Sequence, residues 1–243
     1  MKTLSSLVRV SFGVQARTTS HRLPNKIFKK LGEKYMIELV LDACKNSSKY
    51  MNRHTHRTGI QTSVSLLIPD NDIGFGDIKF PGVNIIKGQE NDVLSRYVLL
   101  QKSNDYNYIV RITADCPLIK SAIITKAVTI AVNGNYDYVT NAMPDFRTFY
   151  DGTDVEVLSK GLLNFLDNNA SGIDREHVTS YLVKNAPKWA KIAHLFSNVD
   201  FSDQKLSVDT IEDFNNVKDQ FESVDEKIKK WSTKYGQNTC HRF

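Results

Sequence analysis

A polar, basic loop near the start of the chain carries side chains suited to binding a polyphosphate. Residues 15–26 (QARTTSHRLPNK) contain Arg17, Arg22 and Lys26 among several hydroxyl and amide side chains. A triphosphate carries about four negative charges, and such a loop can hold it with backbone N–H groups and Arg or Lys side chains. Composition alone fits a solvated basic loop equally well, so this motif predicts an anion site only in combination with its neighbours.

Two aspartates far apart in the sequence have the chemistry of metal ligands. Asp115 follows an apolar run and precedes a Cys-Pro turn, and Asp209 precedes the last helical pattern. Mg²⁺ is commonly bound by one or two carboxylates together with substrate phosphates. Taken singly, Asp115 also fits a turn and Asp209 a helix start, so their pairing is a hypothesis.

Further ionisable residues lie in the second half of the chain. Asp154 and Glu156 share one face of a predicted strand, because side chains alternate along a strand. Arg175 and His177 open a predicted helix, and His177 fits either a proton acceptor or an ordinary partly buried histidine. We take all four as candidate site residues.

Strand and helix patterns alternate along the first half of the chain and must position these groups. This rhythm predicts an α/β fold with a mostly parallel sheet and helices on both faces. Active sites in such sheets lie at the carboxyl ends of the strands, so the loops after residues 14 and 113 are expected to meet. The predicted strands are 8–14, 64–68, 83–86, 108–113 and 136–140, and the predicted helices are 34–44, 92–100 and 119–132.

The second half is less regular, but the chain contains no repeat or linker and is expected to form one domain, 1–243. Its predicted strands are 153–158 and 206–208, and its predicted helices are 174–185 and 211–231, the last with Thr210 as N-cap. The basic, weakly periodic stretch 45–62 is expected to be a surface insertion in loop form. Residues 232–243 are expected to form a frayed polar tail.

Composition excludes several classes of protein. No apolar run approaches the roughly 18–20 residues of a membrane helix. The three cysteines have no paired spacing, which predicts a reducing, cytoplasmic compartment without a disulfide framework. The net charge of +5 is mild, and the sequence has no dense basic stripe of the kind that binds nucleic acid. We therefore expect no nucleic-acid partner. The phosphate-binding motif of P-loop enzymes and the serine elbow of hydrolases are absent.

Six ordered segments resemble the CTP-dependent cytidylyltransferases, whose members activate acylneuraminate and deoxy-octulosonate (KDO). The resemblance is strongest to the spore-coat polysaccharide protein F group. The segments are QARTTSHRLPNK, GQENDVLSRY, RITADCPLI, DGTDVEV, REHVT and LSVDTIEDF, which together span roughly residues 14–214. Each segment alone is weak, and their shared order carries the resemblance.

The resemblance implies a three-layer α/β/α nucleotide-binding fold, a homodimer, and CTP bound at the first loop. It implies that Arg17 and Lys26 bind phosphate and that Asp115 and Asp209 hold Mg²⁺. The remaining residues that it assigns to the nucleotide are Ala16, Arg22, Gly88, Gln89, Asp92 and Arg96. We expect Asp154, Glu156, Arg175 and His177 to contact a small anionic acceptor, which receives CMP as pyrophosphate leaves.

Several alternatives stay open at this stage. The acceptor is either a sugar acid or a phosphorylated polyol or amino acid, and a role in surface polysaccharide synthesis is expected by analogy. The competing hypotheses are a nucleotide-sugar glycosyltransferase and a non-catalytic nucleotide-binding protein. The first loop departs from its relatives at Thr18, Thr19 and Asn25, where small residues or glycine are usual and let backbone approach phosphate.

Overall fold

A computed structural model describes residues 7–76 and 78–235, with side chains described as far as Ser223. Within these residues the strands are β1 (Val8–Gln15), β2 (Lys30–Leu31), β3 (Lys34–Tyr35), β4 (Ile60–Pro69), β5 (Asn84–Gly88), β6 (Tyr108–Thr113), β7 (Tyr138–Thr140), β8 (Glu156–Ser159) and β9 (Ile192–His194). Strands β2 and β3 pair with each other. The other strands form one sheet in the order β5-β4-β1-β6-β8-β7-β9.

The sheet is mostly parallel, as its alternating sequence pattern predicted. Only β8 runs against its neighbours β6 and β7, and the remaining pairs are parallel. Strand β4 pairs with one edge of β1 and strand β6 with the other, so the order of the strands changes direction at β1. A crevice therefore opens at the carboxyl ends of β1 and β6, which is where ligands bind in open α/β sheets.

Helices cover both faces of this sheet and give the predicted three layers. They are α1 (Met36–Arg53), α2 (Thr55–Thr58), α3 (Val93–Ser103), α4 (Ser121–Gly134), α5 (Lys160–Asn169), α6 (Ile173–His177), α7 (Ser180–Asn185) and α8 (Ile211–Tyr235). On one face Phe12 packs with residues of α1 and α4, and on the other Ile109 packs with residues of α3 and α5. No helix among the described residues is both long enough and apolar enough to cross a bilayer.

The expectation of a surface loop at 45–62 was wrong. Helix α1 runs far into this stretch, and only the short helix α2 separates it from β4. The inward face of α1 continues through Ser47, Ser48 and Met51, all of which are buried. The Thr62 hydroxyl donates to the Ser48 hydroxyl at 2.8 Å, so the buried serine is satisfied. The spacing of apolar residues does not reveal this buried face of the helix, because two of its three residues are serines.

Three further expectations need correction towards the C-terminus. The helix predicted at 174–185 is broken into α6 and α7 at Val178, and the strand predicted at 206–208 does not form. Instead, a single bridge joins Lys205 to Asp151. Helix α8 extends to its end at Tyr235, beyond the predicted 231, and residues 236–243 lie outside the described residues.

Candidate active site

A cavity of about 310 Å³ lies in the crevice at the carboxyl ends of β1 and β6. Its ionisable lining consists of five cations, three carboxylates and two histidines, contributed by the first loop, α3, β6, α6 and the segment before α8. These residues are Arg17, His21, Arg22, Lys26, Arg96, Arg111, Asp115, Glu176, His177 and Asp209. Ala16 also lines the cavity. The structure thus brings eight of the sequence-predicted site residues to one place. These are Ala16, Arg17, Arg22, Lys26, Arg96, Asp115, His177 and Asp209.

The first loop turns back on itself and places Lys26 inside the cavity. The backbone N–H of Asn25 donates to the Thr18 carbonyl at 2.9 Å. Asn25 has φ of 55°, a left-handed conformation that asparagine tolerates better than most residues. Asparagine can therefore make this turn in place of glycine. A single 3₁₀ turn starting at Lys26 follows and buries this side chain.

Asp72 anchors the other end of the loop through Thr18. Its carboxylate accepts from the Thr18 N–H at 2.7 Å, from the Thr18 hydroxyl, and from the Gly74 N–H at 3.1 Å. Gly74 lies so close that a Cβ there would be 2.3 Å from the Thr18 hydroxyl oxygen. Thr18 is buried, so it serves as a fixed point of the loop. Sequence analysis did not find this contact, since Asp72 stands 54 positions away.

Lys26 joins the two predicted metal ligands. Its ammonium donates to Asp115 Oδ2 at 2.7 Å, to the Val208 carbonyl at 2.8 Å and to Asp209 Oδ1 at 3.1 Å. The side chain of Lys26 is only 10% exposed. Asp115 and Asp209 therefore meet at one buried cation, which places the two carboxylates close together. We call Asp115, Asp209 and the Val208 carbonyl the oxygen cage.

Backbone contacts hold Asp209 against the end of β6. The Val208 N–H donates to the Asp115 carbonyl at 2.9 Å. Gly152 permits the approach of this segment, because a Cβ at that position would lie 2.2 Å from the Ser207 nitrogen. Burial by itself raises the pKa of Asp209, but Lys26 and Lys205 outweigh burial and the net pKa is lowered.

The start of α8 fixes the segment that carries Asp209. The Asp213 carboxylate accepts from the N–H groups of Asp209 and Thr210, at 2.9 and 3.0 Å. In return, the Thr210 hydroxyl accepts from the Asp213 N–H at 3.2 Å, so Thr210 is the N-cap that was predicted.

Two arginines whose side chains reach solvent line the cavity. Arg22 reaches Asp209 at 3.1 Å, and its side chain is 64% exposed. Arg17 reaches Glu176 across the cavity at 3.4 Å. Long exposed side chains of this kind can exchange these partners for a ligand at little cost, because surface ion pairs contribute at most about 1 kcal/mol.

Arg96 is a buried cation without a carboxylate partner among the described residues. It is 2% exposed, yet its guanidinium makes only long contacts, to the carbonyls of Leu67 at 3.3 Å and Glu90 at 3.5 Å. Its Nε atom has no hydrogen-bond partner within the described part of the chain. Burial lowers the pKa of Arg96, and nearby Arg17 lowers it further. A buried charge in this condition is unfavourable unless a ligand completes it.

Arg111 also lines the cavity, and sequence analysis did not name it. It points to the same face of β6 as Thr113 and pairs in register with Glu156 of β8. Glu156 accepts from Arg111 and from the Tyr138 hydroxyl, and all three groups are buried or nearly so. Burial alone lowers the pKa of Arg111, but Glu156 raises it by more. An arginine inside the apolar run 108–112 was the signal that could have identified it.

Helix α6 presents His177 to the cavity from a strained turn. Val178 has φ of 63° and ψ of −61°, and the Thr179 N–H donates to the His177 carbonyl at 2.7 Å. This is a γ-turn of the rare, strained kind, in a buried β-branched residue. Arg175 holds the helix in place through Asp92 at 2.8 Å and Asp167 at 2.9 Å.

The structure places the other predicted site residues outside the cavity lining. Gly88 packs closely against Arg96, and Gln89 is exposed. Asp92 caps α3 by accepting from the Ser95 N–H at 2.9 Å. Their predicted contacts to the nucleotide stay predictions.

Three of the residues expected to contact the acceptor are also engaged elsewhere. Asp154 is bound by both terminal nitrogens of Arg147, at 2.6 and 3.1 Å, and burial raises its pKa although Arg147 opposes the shift. Glu156 and Arg175 form the ion pairs described above. Of the four residues predicted to bind the acceptor, only His177 lines the cavity.

The donor set fits a hard divalent cation with shared substrate oxygens. Two carboxylates and one carbonyl surround Lys26, and Mg²⁺ takes oxygen ligands of this kind and leaves its other positions to phosphates and water. Among the described residues no group of three or more His, Cys, Asp or Glu side chains forms a complete metal site. A cation here therefore needs ligands from the substrate.

The chain is similar to several known proteins. The family model described as cytidylyltransferase matches residues 13–238. The chain is 32% identical over 204 residues to an uncharacterized protein of Methanocaldococcus jannaschii, covering 83% of this chain and 78% of that protein. It is 25% identical over 224 residues to the spore coat polysaccharide biosynthesis protein SpsF of Bacillus subtilis, covering 90% and 88%. A solved cytidylyltransferase from Leptospira borgpetersenii superposes with a TM-score of 0.76 at 29% identity, covering 97% of this chain and 100% of that one.

Proposed function

The chain belongs to the cytidylyltransferase family, and from this premise we propose that it transfers CMP from CTP to a small anionic acceptor with release of pyrophosphate. The family makes it a nucleotidyltransferase, and the resemblance inferred from the six sequence segments is confirmed. The choice of CTP and of the acceptor is our proposal.

One observation carries the proposal: Asp115 and Asp209 converge on a single point, and unpaired or loosely paired arginines line the same cavity. Arg22 is exposed, Arg17 is half-exposed, and Arg96 is buried without a carboxylate partner among the described residues. A nucleoside triphosphate supplies the negative charge that these groups lack. Its phosphates also supply the oxygen ligands that the oxygen cage leaves open.

The chain's own residues act by positioning and by electrostatics. In the proposed reaction an acceptor oxygen attacks the α-phosphorus of CTP in line, and the bond from that phosphorus to the pyrophosphate oxygen breaks. Arg17, Arg22 and Lys26 stabilise the charge that develops on the departing pyrophosphate. The loop anchored by Thr18 and Asn25 fixes the phosphates before attack. No covalent nucleophile from the protein is required.

A divalent cation such as Mg²⁺, held by Asp115 and Asp209, would neutralise charge on the α-phosphate. The observed oxygen donors fit this group.

The acceptor contributes an anionic group and an attacking oxygen, and we propose a sugar acid or a phosphorylated polyol or amino acid. Similarity to the spore coat polysaccharide protein supports a role in surface polysaccharide synthesis. His177 is the residue of the predicted acceptor set whose position supports contact with this substrate. We also propose that the protein is a homodimer and lies in the cytoplasm, and both of these stay predictions.

Calorimetric titration tests the nucleotide half of this reaction. CTP, UTP, ATP and GTP are titrated separately, each with and without Mg²⁺. Selective binding of CTP that weakens without Mg²⁺ is the expected result, and pyrophosphate release across a panel of acceptors then identifies the second substrate. Tighter binding of UDP- or GDP-sugars than of CTP would favour a glycosyltransferase, and CTP binding without turnover on any acceptor would favour a non-catalytic protein.

Replacing Arg96 by methionine is expected to weaken nucleotide binding without destabilising the fold. CTP affinity should fall about 10- to 100-fold, because a charge-assisted contact to the nucleotide is lost. The free energy of unfolding should not fall, since the buried cation that is removed has no carboxylate partner among the described residues. Calorimetry measures the first quantity and urea denaturation the second.

Arg111→Met is the matched control, because it removes a second buried arginine that does have a partner. This change should lower the free energy of unfolding by leaving Glu156 buried and unpaired. Loss of stability in Arg96→Met with normal CTP affinity would show that Arg96 is structural and would contradict its assignment to the nucleotide.

A further inference from the structure

The Lys26 ammonium sits where a cation would sit. It lies within 2.7 to 3.1 Å of three oxygens, those of Asp115, Asp209 and the Val208 carbonyl. All three belong to groups that bind Mg²⁺ or Mn²⁺ in proteins. We propose that, in the nucleotide-free enzyme, Lys26 holds the oxygen cage and keeps a free divalent cation out until nucleotide phosphates draw the ammonium away.

The ammonium is a strong occupant of this cage because it is buried and doubly paired. Its side chain is 10% exposed, and it is the described cation that bonds both carboxylates. Each of these contacts is shorter and less screened than the surface contacts of Asp209 to Lys205 at 3.3 Å, where the lysine side chain is 39% exposed. Interactions between buried charges weaken much less with solvent and salt than exposed ones.

Charge balance explains why the ammonium opposes a second cation. Asp115 and Asp209 supply two negative charges. Lys26 contacts both carboxylates, and the more exposed Arg22 and Lys205 also contact Asp209. A divalent ion that entered the cage beside Lys26 would place three positive charges against these two carboxylates within a few ångströms. Like charges at such separations repel strongly in a partly buried site. The cage therefore accepts a divalent ion only when the ammonium leaves.

The triphosphate of the proposed substrate offers the ammonium a new partner. Lysine carries its charge on a flexible four-carbon stem, so it can turn while its backbone stays in place. The backbone here is fixed by the turn at Asn25 and by the contact of the Asn25 N–H with Thr18. Lys26 thus neutralises the cage carboxylates before nucleotide binds, and it contacts the phosphates afterwards. This inference rests on the proposed function for its second half, the transfer of Lys26 to phosphate.

Titration with Mn²⁺ alone tests whether Lys26 occupies the cage in the absence of nucleotide. Binding is measured by electron paramagnetic resonance as the loss of the free Mn²⁺ signal. Lys26→Met should bind one Mn²⁺ about tenfold more tightly than the unaltered protein, or better. Lys26→Gln, which is neutral but keeps hydrogen-bond donors, should gain affinity as well. It also provides a second folded variant where methionine disturbs the fold.

Lys205→Met is the matched control, since it removes an exposed lysine that contacts only one carboxylate of the cage. Its Mn²⁺ affinity should change far less than that of Lys26→Met. Adding Asp115→Asn to Lys26→Met should abolish the gain, which locates the new affinity at the cage. Equal Mn²⁺ affinity in the unaltered protein and in both folded Lys26 variants would overturn the proposal.

A separate CTP titration keeps this result distinct from the proposed function. Tighter Mn²⁺ binding in the Lys26 variants, with no CTP binding by the unaltered protein, would support occupation of the cage by Lys26 and reject the nucleotide assignment. Normal CTP binding with no gain of Mn²⁺ affinity would support the nucleotide assignment and reject occupation of the cage by Lys26.

Discussion

Asp115→Ala is expected to lower the rate of CMP transfer by about 10²–10⁴-fold while leaving the fold intact. Asp115 supplies one side of the oxygen cage, and its carboxylate lies 2.7 Å from the Lys26 ammonium. Its removal takes away one of the two carboxylates that would hold the divalent cation, and it leaves Asp209 as the remaining carboxylate partner of Lys26 among the described residues. Steady-state assays of pyrophosphate release, with CTP and the identified acceptor, measure the effect on kcat and on kcat/KM.

An aspartate on the exposed face of α8 provides the control for Asp115→Ala. Asp219 is exposed, so Asp219→Ala removes the same charge without touching the cavity and should leave the rate unchanged. Circular dichroism and thermal melting establish that both variants fold. A folded Asp115→Ala protein with near-normal turnover would remove Asp115 from the reaction and end the proposed mechanism.

Glu156→Ala is expected to lower the free energy of unfolding by about 3–5 kcal/mol, the range seen when one partner of a buried ion pair is removed. Glu156 is 4% exposed and accepts from both Arg111 and Tyr138. Without it, the guanidinium of Arg111 stays buried with Gln15 as its remaining side-chain partner among the described residues. Urea denaturation followed by circular dichroism measures the loss.

Two further variants show whether the loss comes from the buried charge. Glu222→Ala breaks the exposed pair with Lys218, whose separation is 3.8 Å, and should change stability much less. The double replacement of Arg111 by methionine and Glu156 by leucine should recover part of the loss, because no unpaired charge remains. If Glu156→Ala is as stable as the unaltered protein, the buried pair contributes little and Glu156 is again free to be considered for the acceptor.

The features that the sequence predicted well are those whose signal is local. The strand at 108–113 is a compact apolar run, and Asp115 follows it directly, so its place at the carboxyl edge of the sheet could be inferred. Thr210 was recognised as an N-cap from its position before an amphipathic run. The pairing of Asp115 with Asp209 was a hypothesis from topology and charge that the family resemblance also implied, and in the structure both carboxylates contact the Lys26 ammonium.

The features that the sequence did not predict depend on partners far along the chain. Glu156 looked available for a substrate because its alternation on a strand says nothing about Arg111 on the neighbouring strand. Asp72 received no assignment from the sequence, because its partner Thr18 stands 54 positions away. The strained backbone of Val178 has no local signal, because valine disfavours that conformation and only tertiary packing imposes it.

The oxygen cage also has a consequence for the newly made protein. Lys26 and Asp209 stand 183 positions apart, so a nascent chain exposes its first loop long before the cage can close. Closure requires docking of the C-terminal segment, where Val208 and Val217 pack against Leu31 and Met36. Contacts of such sequence separation form late, since much of the chain must be ordered first. We therefore expect a ribosome-bound or truncated chain that lacks Asp209 to lack the oxygen cage as well.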